Sequence, residues 1–253
     1  MTITFLGTGT SQGVPVIACG CEVCTSTNKH DKRLRTSVLI ETDGKVIAID
    51  SGPDFRYQML RAGVKHLDAV VFTHEHKDHT AGLDDIRAFN FIQQAPMDIY
   101  AVPRVQESLK REFAYIFAAY KYPGIPQLHM HTIGPEPFSI GPVEVTPIEV
   151  MHYHLPVLGF RIKDFTYITD AKTIAPAEME KIKGSRILVI NALQKEPHIS
   201  HFTLDEAVTL AKQIGAQTTY FTHISHRLGK HVDVSAELPE GIALAYDGLT
   251  IKL

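Results

Sequence analysis

The heptapeptide Thr73-His74-Glu75-His76-Lys77-Asp78-His79 sets three imidazoles and two carboxylates directly behind the apolar run Ala69–Thr73. In a turn that leaves a strand, such side chains can converge on one point. Imidazole with carboxylate suits zinc, manganese or iron. A second concentration of ligand atoms is Cys19-Gly20-Cys21-Glu22-Val23-Cys24, which holds all 3 cysteines of the chain. An odd number cannot pair fully within one chain, and a Cys19–Cys21 bridge would close a very small, strained loop. The cluster therefore reads as metal-binding. A structural zinc takes four protein ligands, so a fourth is needed, and there are 14 histidines to choose from.

A third feature is His198-Ile199-Ser200-His201, just ahead of Thr203. Thr203 and Glu206 form a T-x-x-E helix start, so a helix N-terminus lies nearby and favours an anion. A histidine there can bind a phosphate oxygen and protonate a leaving group. The basic run Lys29–Arg35 reads as a solvated loop. His66, His129 and His131 lack motif context and read as surface or structural residues, and His198 as a bland neighbour. Gly7-x-Gly9 lacks the third glycine of a dinucleotide fingerprint.

Short apolar runs alternate with helical patterns along the chain. Strands are expected at Thr2–Leu6, Ser37–Glu41, Val46–Asp50, Ala69–Thr73, Asp98–Val102, Val143–Val150, Gly159–Ile162, Tyr167–Thr169, Ile187–Asn191, Thr218–Thr222 and Ile242–Ala245. Helices are expected at Phe55–Ala62, Asp84–Gln93, Arg104–Ala119, Pro176–Ile182 and Leu204–Ile214, the last stopped by Gly215. A weak echo runs through the two halves. Val46–Ser51, a helix and Asp68–His74 match Phe165–Asp170, a helix and Arg186–Asn191 in the order strand, acid, helix, buried strand, polar residue. Two such halves make two sheets packed face to face with helices outside. The expectation is a single α/β domain over residues 1–253, a four-layer αββα sandwich. The 253 residues are 44% hydrophobic and 21% charged with net charge −3, ordinary for a soluble protein. That charge gives no footprint for general nucleic-acid binding. Neither a signal peptide nor a membrane-spanning run is visible, so a cytoplasmic location is expected.

The motif H-x-H-x-D-H after a strand resembles the signature of the metallo-β-lactamase superfamily. Further residues fall in that family's order along the chain. Asp50 resembles its buried supporting aspartate, His152 its lone third histidine, Asp170 its bridging aspartate and His223 its last histidine. The resemblance implies one metal on His74, His76 and His152 and another on Asp78, His79 and His223, with Asp170 bridging. His154 competes with His152 for the third-histidine position. Two divalent ions, Mn or Zn, would supply an activated water at neutral pH. Gly7-Thr-Gly-Thr-Ser-Gln-Gly-Val-Pro15 followed by C-x-C-x-x-C resembles the PhnP-like phosphodiesterases, relatives of tRNase Z. That implies a structural zinc on Cys19, Cys21, Cys24 and His226, with His30 and His231 as competing fourth ligands. It also makes His201 the proton donor to the leaving group, and gives Asp78 a second role in orienting the nucleophile. The function implied is hydrolysis of a small phosphodiester, such as a cyclic ribose phosphate, and a homodimer is implied as well. A tRNase Z-like endoribonuclease needs a basic exosite arm, and no such insertion is seen. A lactone or thioester hydrolase would use the same metals with less need of His201.

Overall fold

The computed structural model describes residues 1–120 and 122–253. Its first strands are β1 (Thr2–Gly7), β2 (Ser37–Thr42), β3 (Lys45–Ile49), β4 (Ala69–Val71), β5 (Met97–Ala101) and β6 (Leu128–Thr132). Then come β7 (Phe138–Ile140), β8 (Val143–His152), β9 (Leu155–Ile162), β10 (Phe165–Tyr167), β11 (Thr173–Ile174), β12 (Ile187–Asn191), β13 (Thr218–Thr222), β14 (Ile242–Leu244) and β15 (Thr250–Lys252). One sheet runs β15-β1-β2-β3-β4-β5-β6 and the other β11-β8-β9-β10-β12-β13-β14, with β7 beside β8. The helices are α1 (Phe55–Ala62), α2 (Lys77–Thr80), α3 (Arg87–Gln93), α4 (Pro103–Glu112), α5 (Ala114–Phe117), α6 (Pro176–Ile182), α7 (Leu204–Ile214) and α8 (His231–Glu237).

Side chains alternate across each strand, so each sheet has two faces to cover. Ile3, Phe5, Ile49, Phe160, Tyr167 and Val189 fill the space between the sheets. On the outer face of the first sheet, Val70 and Ile99 pack against Phe55, Phe89 and Leu109 of the helices. On the outer face of the second, Leu188 and Ile190 pack against Leu204, Ala207 and Ala211 of α7. The result is the four-layer αββα sandwich. The central β4 and β12 pair in parallel on at least one side and are buried along their whole length, which explains their continuous apolar reading.

The internal echo corresponds to a repeated geometry. Asp50 follows β3 with φ 65°, and Asp170 follows the end of β10 with φ 56°. In each half the next parallel strand sends a polar residue back to the turn. Thr73 donates to Asp50, and Asn191 bridges Ala171 through both its amide groups.

Some expectations need correction. The helix expected over Arg104–Ala119 is two helices broken at Phe113, whose φ −110° and ψ 42° leave the helical region. The one expected from Asp84 opens as a 3-10 turn at Leu83–Ile86. The strand at Gly159 begins at Leu155, because a two-residue turn joins it to β8. Strands β6, β7, β11 and β15 and helix α8 were not expected; most are short or lie at a sheet edge. The Lys29–Arg35 run is no solvated loop. Asp31 and Arg33 are buried, and Arg33 donates to Thr8 Oγ1, the Ala245 carbonyl and His231 Nδ1. Helix α7 starts with the expected capping box and stops at Gly215. Its start is not an anion seat, however. The Leu204 N–H goes to the Gln194 carbonyl and the Glu206 N–H to Thr203 Oγ1, and Asp205 and Glu206 carry negative charge there.

Candidate metal centre

The first motif leaves β4 and turns into α2, so His74 and His79 are buried while Glu75 points elsewhere, into an ion pair with Arg104 at 2.9 Å. Asp50 organises the site from beneath. Its carboxylate accepts from the Thr73 N–H and hydroxyl, both at 2.9 Å, and from His79 Nδ1–H at 2.7 Å. Because the Thr73 hydroxyl donates to Asp50, it must accept from His74 Nδ1–H, 2.9 Å away. Asp50 thereby fixes the tautomers of two imidazoles, leaving Nε2 of each bare toward the site. The relay through Thr73 has no motif of its own in the sequence. His152 is oriented by a different device, its Nδ1–H donating to the Ser200 carbonyl at 2.9 Å.

The bare atoms converge on Asp170. Its Oδ1 lies 3.4 Å from His79 Nε2 and 3.3 Å from His223 Nε2, and its Oδ2 lies 3.8 Å from His74 Nε2. Asp78 Oδ2 is 3.2 Å from His79 Nε2 and 3.6 Å from His223 Nε2. His76 Nδ1 stands 3.0 Å from His74 Nε2. His152 is next to this pair, its ring 5.2 Å from that of His76 and 4.5 Å from that of His201. His154 joins no cluster of donors among the described residues, and its ring instead lies tilted against that of Tyr153. Three residues of the site, Asp50, Asp170 and His223, hold positive φ without being glycine. Such backbone strain gathers where a side chain must be aimed.

Buried, His79 Nε2 and both ring nitrogens of His223 have no hydrogen-bond partner. Leaving such atoms unpaired is costly. Tetrahedral coordination at 2.0–2.2 Å sets neighbouring ligand atoms about 3.3 Å apart, and the spacings around Asp170 Oδ1 match that edge. The residues therefore fit a divalent cation between Asp78, His79, His223 and Asp170, and a second donor set at His74, His76 and the other oxygen of Asp170. The charges agree. Burial opposes the Asp170 charge, but His223 and His79 hold its carboxyl well below the usual range. Burial likewise opposes a charge on His79, and Asp78, Asp170 and Asp50 outweigh it and raise its pKa well above the usual value. A cation entering here would replace that proton.

The cysteines meet His226. Its Nδ1 lies 3.4, 3.3 and 3.5 Å from the sulfurs of Cys19, Cys21 and Cys24. Zinc with Zn–S of 2.3 Å and Zn–N of 2.0–2.1 Å would set S and N about 3.5 Å apart in a tetrahedron. The four donors thus fit a closed zinc site, while His30 and His231 lie outside it, packed edge to face on each other. The Cys24 N–H and His226 lower the Cys21 thiol to about 6, and burial raises Cys24 to about 11. His226 stands three residues beyond His223. The segment between them is tied to the glycine-rich start by Thr10 N–H to the Ile224 carbonyl and Ile224 N–H to the Thr8 carbonyl. Cys21→Ser is therefore expected to lower the melting temperature and cut turnover by about tenfold, the scale of losing a support behind a metal ligand. Thermal melting beside steady-state kinetics checks this; unchanged turnover would uncouple the two sites.

Gly52 secures the approach of Asp78. A Cβ on Gly52 would stand 2.0 Å from the Asp78 carbonyl oxygen. Gly52→Ala is expected to destabilise the fold by about 1–3 kcal/mol through overpacking and to reduce metal content at the His/Asp site. Elemental analysis with a denaturation curve reads both.

His201 is buried against His152 and His223, its ring 4.8 Å from that of His223, and its Nδ1 has no partner. Burial, with the neighbouring histidines, pushes it down to about 2 even though Asp170 acts the other way. His198 lies 5.1 Å from it, ring to ring, and receives the Ser200 N–H. Asp98, His129 and His131 form a separate exposed group on β5 and β6.

The αββα sandwich gathers five histidines and two aspartates at its strand ends, a donor set that fits divalent metal ions. Residues 45–224 match the beta-lactamase superfamily domain, and the chain belongs to that superfamily. A solved diphosphatase from the PhnP family is 43% identical, with a TM-score of 0.93 over 100% of this chain and 97% of its own. An octanoyltransferase of Porphyromonas gingivalis (strain ATCC BAA-308 / W83) is 43% identical over 252 residues, 98% of this chain. The chain spans about half, 51%, of that curated relative's length. Zn(2+)-bound PqqB from Methylobacterium extorquens shares the fold at 20% identity, TM-score 0.81, over the whole of both chains. No described helix is long and apolar enough to cross a membrane.

Proposed function

We propose that this hydrolase cleaves a small phosphodiester at a site for two divalent ions, Mn or Zn. His74, His76 and His152 would hold one ion, Asp78, His79 and His223 the other, and Asp170 would reach both. Cys19, Cys21, Cys24 and His226 would hold a structural zinc. Bound at the His/Asp site, the ions would supply Lewis acidity and a nucleophile at neutral pH. The observation that carries the reading is the convergence of three buried imidazole nitrogens on the two oxygens of Asp170, those of His79 and His223 having no hydrogen-bond partner.

The chain's own residues supply the rest. Asp78 Oδ2 faces His79 and His223, and Asp78 would also orient an attacking water. Asp50 holds His79, and through Thr73 also His74, against rotation. His201 stands at the edge of the site without a protein partner on Nδ1. Alone it is neutral, and the negative charge of a bound phosphoryl group would favour its protonated form. It would then give that proton to the leaving alkoxide.

The similarity to a diphosphatase at 43% identity over the whole chain favours a second reading, a diphosphate substrate. Attack on phosphorus is common to both, and the difference is the leaving group. The name octanoyltransferase belongs to a protein about twice as long, of which this chain spans about half. The deciding assay offers a chromogenic phosphodiester, the matching monoester, a diphosphate and a lactone to the protein with Mn²⁺ or Zn²⁺, and with chelator. Metal-dependent turnover of the diester is expected. Lactone opening alone would overturn the reading.

A further inference from the structure

The turn between β8 and β9 is a two-residue hairpin, Tyr153-His154, closed by His152 opposite Leu155. Tyr153 has φ 58°, and His154 is not among the residues with positive φ. A two-residue hairpin with positive φ only at its first loop position favours glycine there, because a bulky side chain is strained. Two other such turns stand among the described residues: Gly141-Pro142, which has glycine at the first position with φ 57°, and Lys163-Asp164 between Ile162 and Phe165, with Lys163 at φ 54°. In the latter the side chain is tied down, since Lys163 Nζ donates to Asp43 at 2.8 Å and to Thr42. Tyr153 has no such tie among the described residues. The residue is 51% exposed, and its ring touches the His154 ring, centroids 3.7 Å apart.

Tyr153 lines an open, shallow cleft of about 560 Å³ whose lining includes His76 and His152 of the candidate metal centre. That volume is in the range of small-molecule sites. Ile199, 62% exposed on the segment that carries His201, lines the same cleft. An aromatic and an aliphatic side chain thus stand bare at the mouth of a site otherwise built of histidines and aspartates. We propose that Tyr153 is a specificity residue, a stacking platform with Ile199 beside it for a flat ring on the substrate, such as a nucleobase, joined to the phosphoryl group. This rests on the reading of the site as one that acts at phosphorus. Backbone strain kept at the mouth of a site, with no hydrogen bond among the described residues to hold the side chain, fits a role toward a ligand.

The test is calorimetric binding of adenosine 5′-monophosphate and of ribose 5-phosphate to metal-loaded protein. The two probes share a phosphate monoester and differ in the base. The wild type is expected to bind the nucleotide about tenfold more tightly than the sugar phosphate, the scale of one base–aromatic stack. Tyr153→Gly should lose that preference, keep its affinity for ribose 5-phosphate, and melt no lower than wild type because glycine suits the turn. Tyr153→Phe should keep the preference. Equal affinities of the wild type for both probes, or an undiminished preference in Tyr153→Gly, would overturn the proposal. A Tyr153-dependent preference in a protein that turns over no diester would leave the platform standing and remove the phosphodiesterase reading.

Discussion

Asp170→Asn is expected to cut turnover by about a thousandfold or more and to empty the His/Asp site of metal. The substitution keeps shape and hydrogen-bonding size. Asparagine tolerates the left-handed backbone that Asp170 adopts at φ 56°, so the turn should survive. What is lost is charge and one acceptor. Oδ1 stands between His79 and His223 while Oδ2 faces His74. An amide must turn an NH₂ toward one side, where it cannot be a ligand. Several kcal/mol of transition-state stabilisation at a metal site converts to about a thousandfold in rate. The same change removes a carboxylate that supports the charged form of buried His79, so the metal-free variant should also be less stable. Elemental analysis beside circular dichroism separates the outcomes. A folded variant with full metal content and near wild-type turnover would remove Asp170 from the site.

His201→Ala is expected to reduce kcat by about 10²–10⁴ on a diester with an alkoxide leaving group, the range for general acid catalysis, with a much smaller change in KM. The leaving group decides the size of the effect. An alkoxide is a poor leaving group and needs the proton. A nitrophenolate or a phosphate leaves more readily, so the loss should shrink on an aryl diester or on a diphosphate. A kinetic series over leaving groups therefore tests the role of His201 and also distinguishes the diester from the diphosphate reading. An equal loss on every leaving group would make His201 a positioning residue instead.

Much of the site was legible because its ligands are contiguous or follow strand ends. H-x-H-x-D-H needs no tertiary knowledge to be seen, and neither does a triplet of cysteines within six residues. The αββα sandwich was legible from the repeated order of strand, acid and helix, and family membership agrees with it. Other parts were hidden for physical reasons. The Thr73 relay works through one hydroxyl proton, which leaves no spacing to read. The support of His152 is a backbone carbonyl, which any residue at position 200 would provide. Arg33 and Asp31 looked solvated because their partners lie about two hundred residues away, at Ala245 and His231. The break at Phe113 is a backbone event in a stretch whose aromatic pattern suits a helix throughout. The choice of His226 over His30 and His231 depends on how the glycine-rich start pairs with the segment after β13.

The most direct test of the account is reconstitution of the metal-free protein. Active-site metal is stripped while the cysteine site keeps its zinc, and diester hydrolysis is followed as Mn²⁺ or Zn²⁺ is added in measured equivalents per chain. No turnover is expected in the stripped protein, with activity rising to a plateau at two equivalents. Hydrolysis that persists without added metal, or a fully loaded protein that leaves every phosphodiester and diphosphate intact, would contradict it.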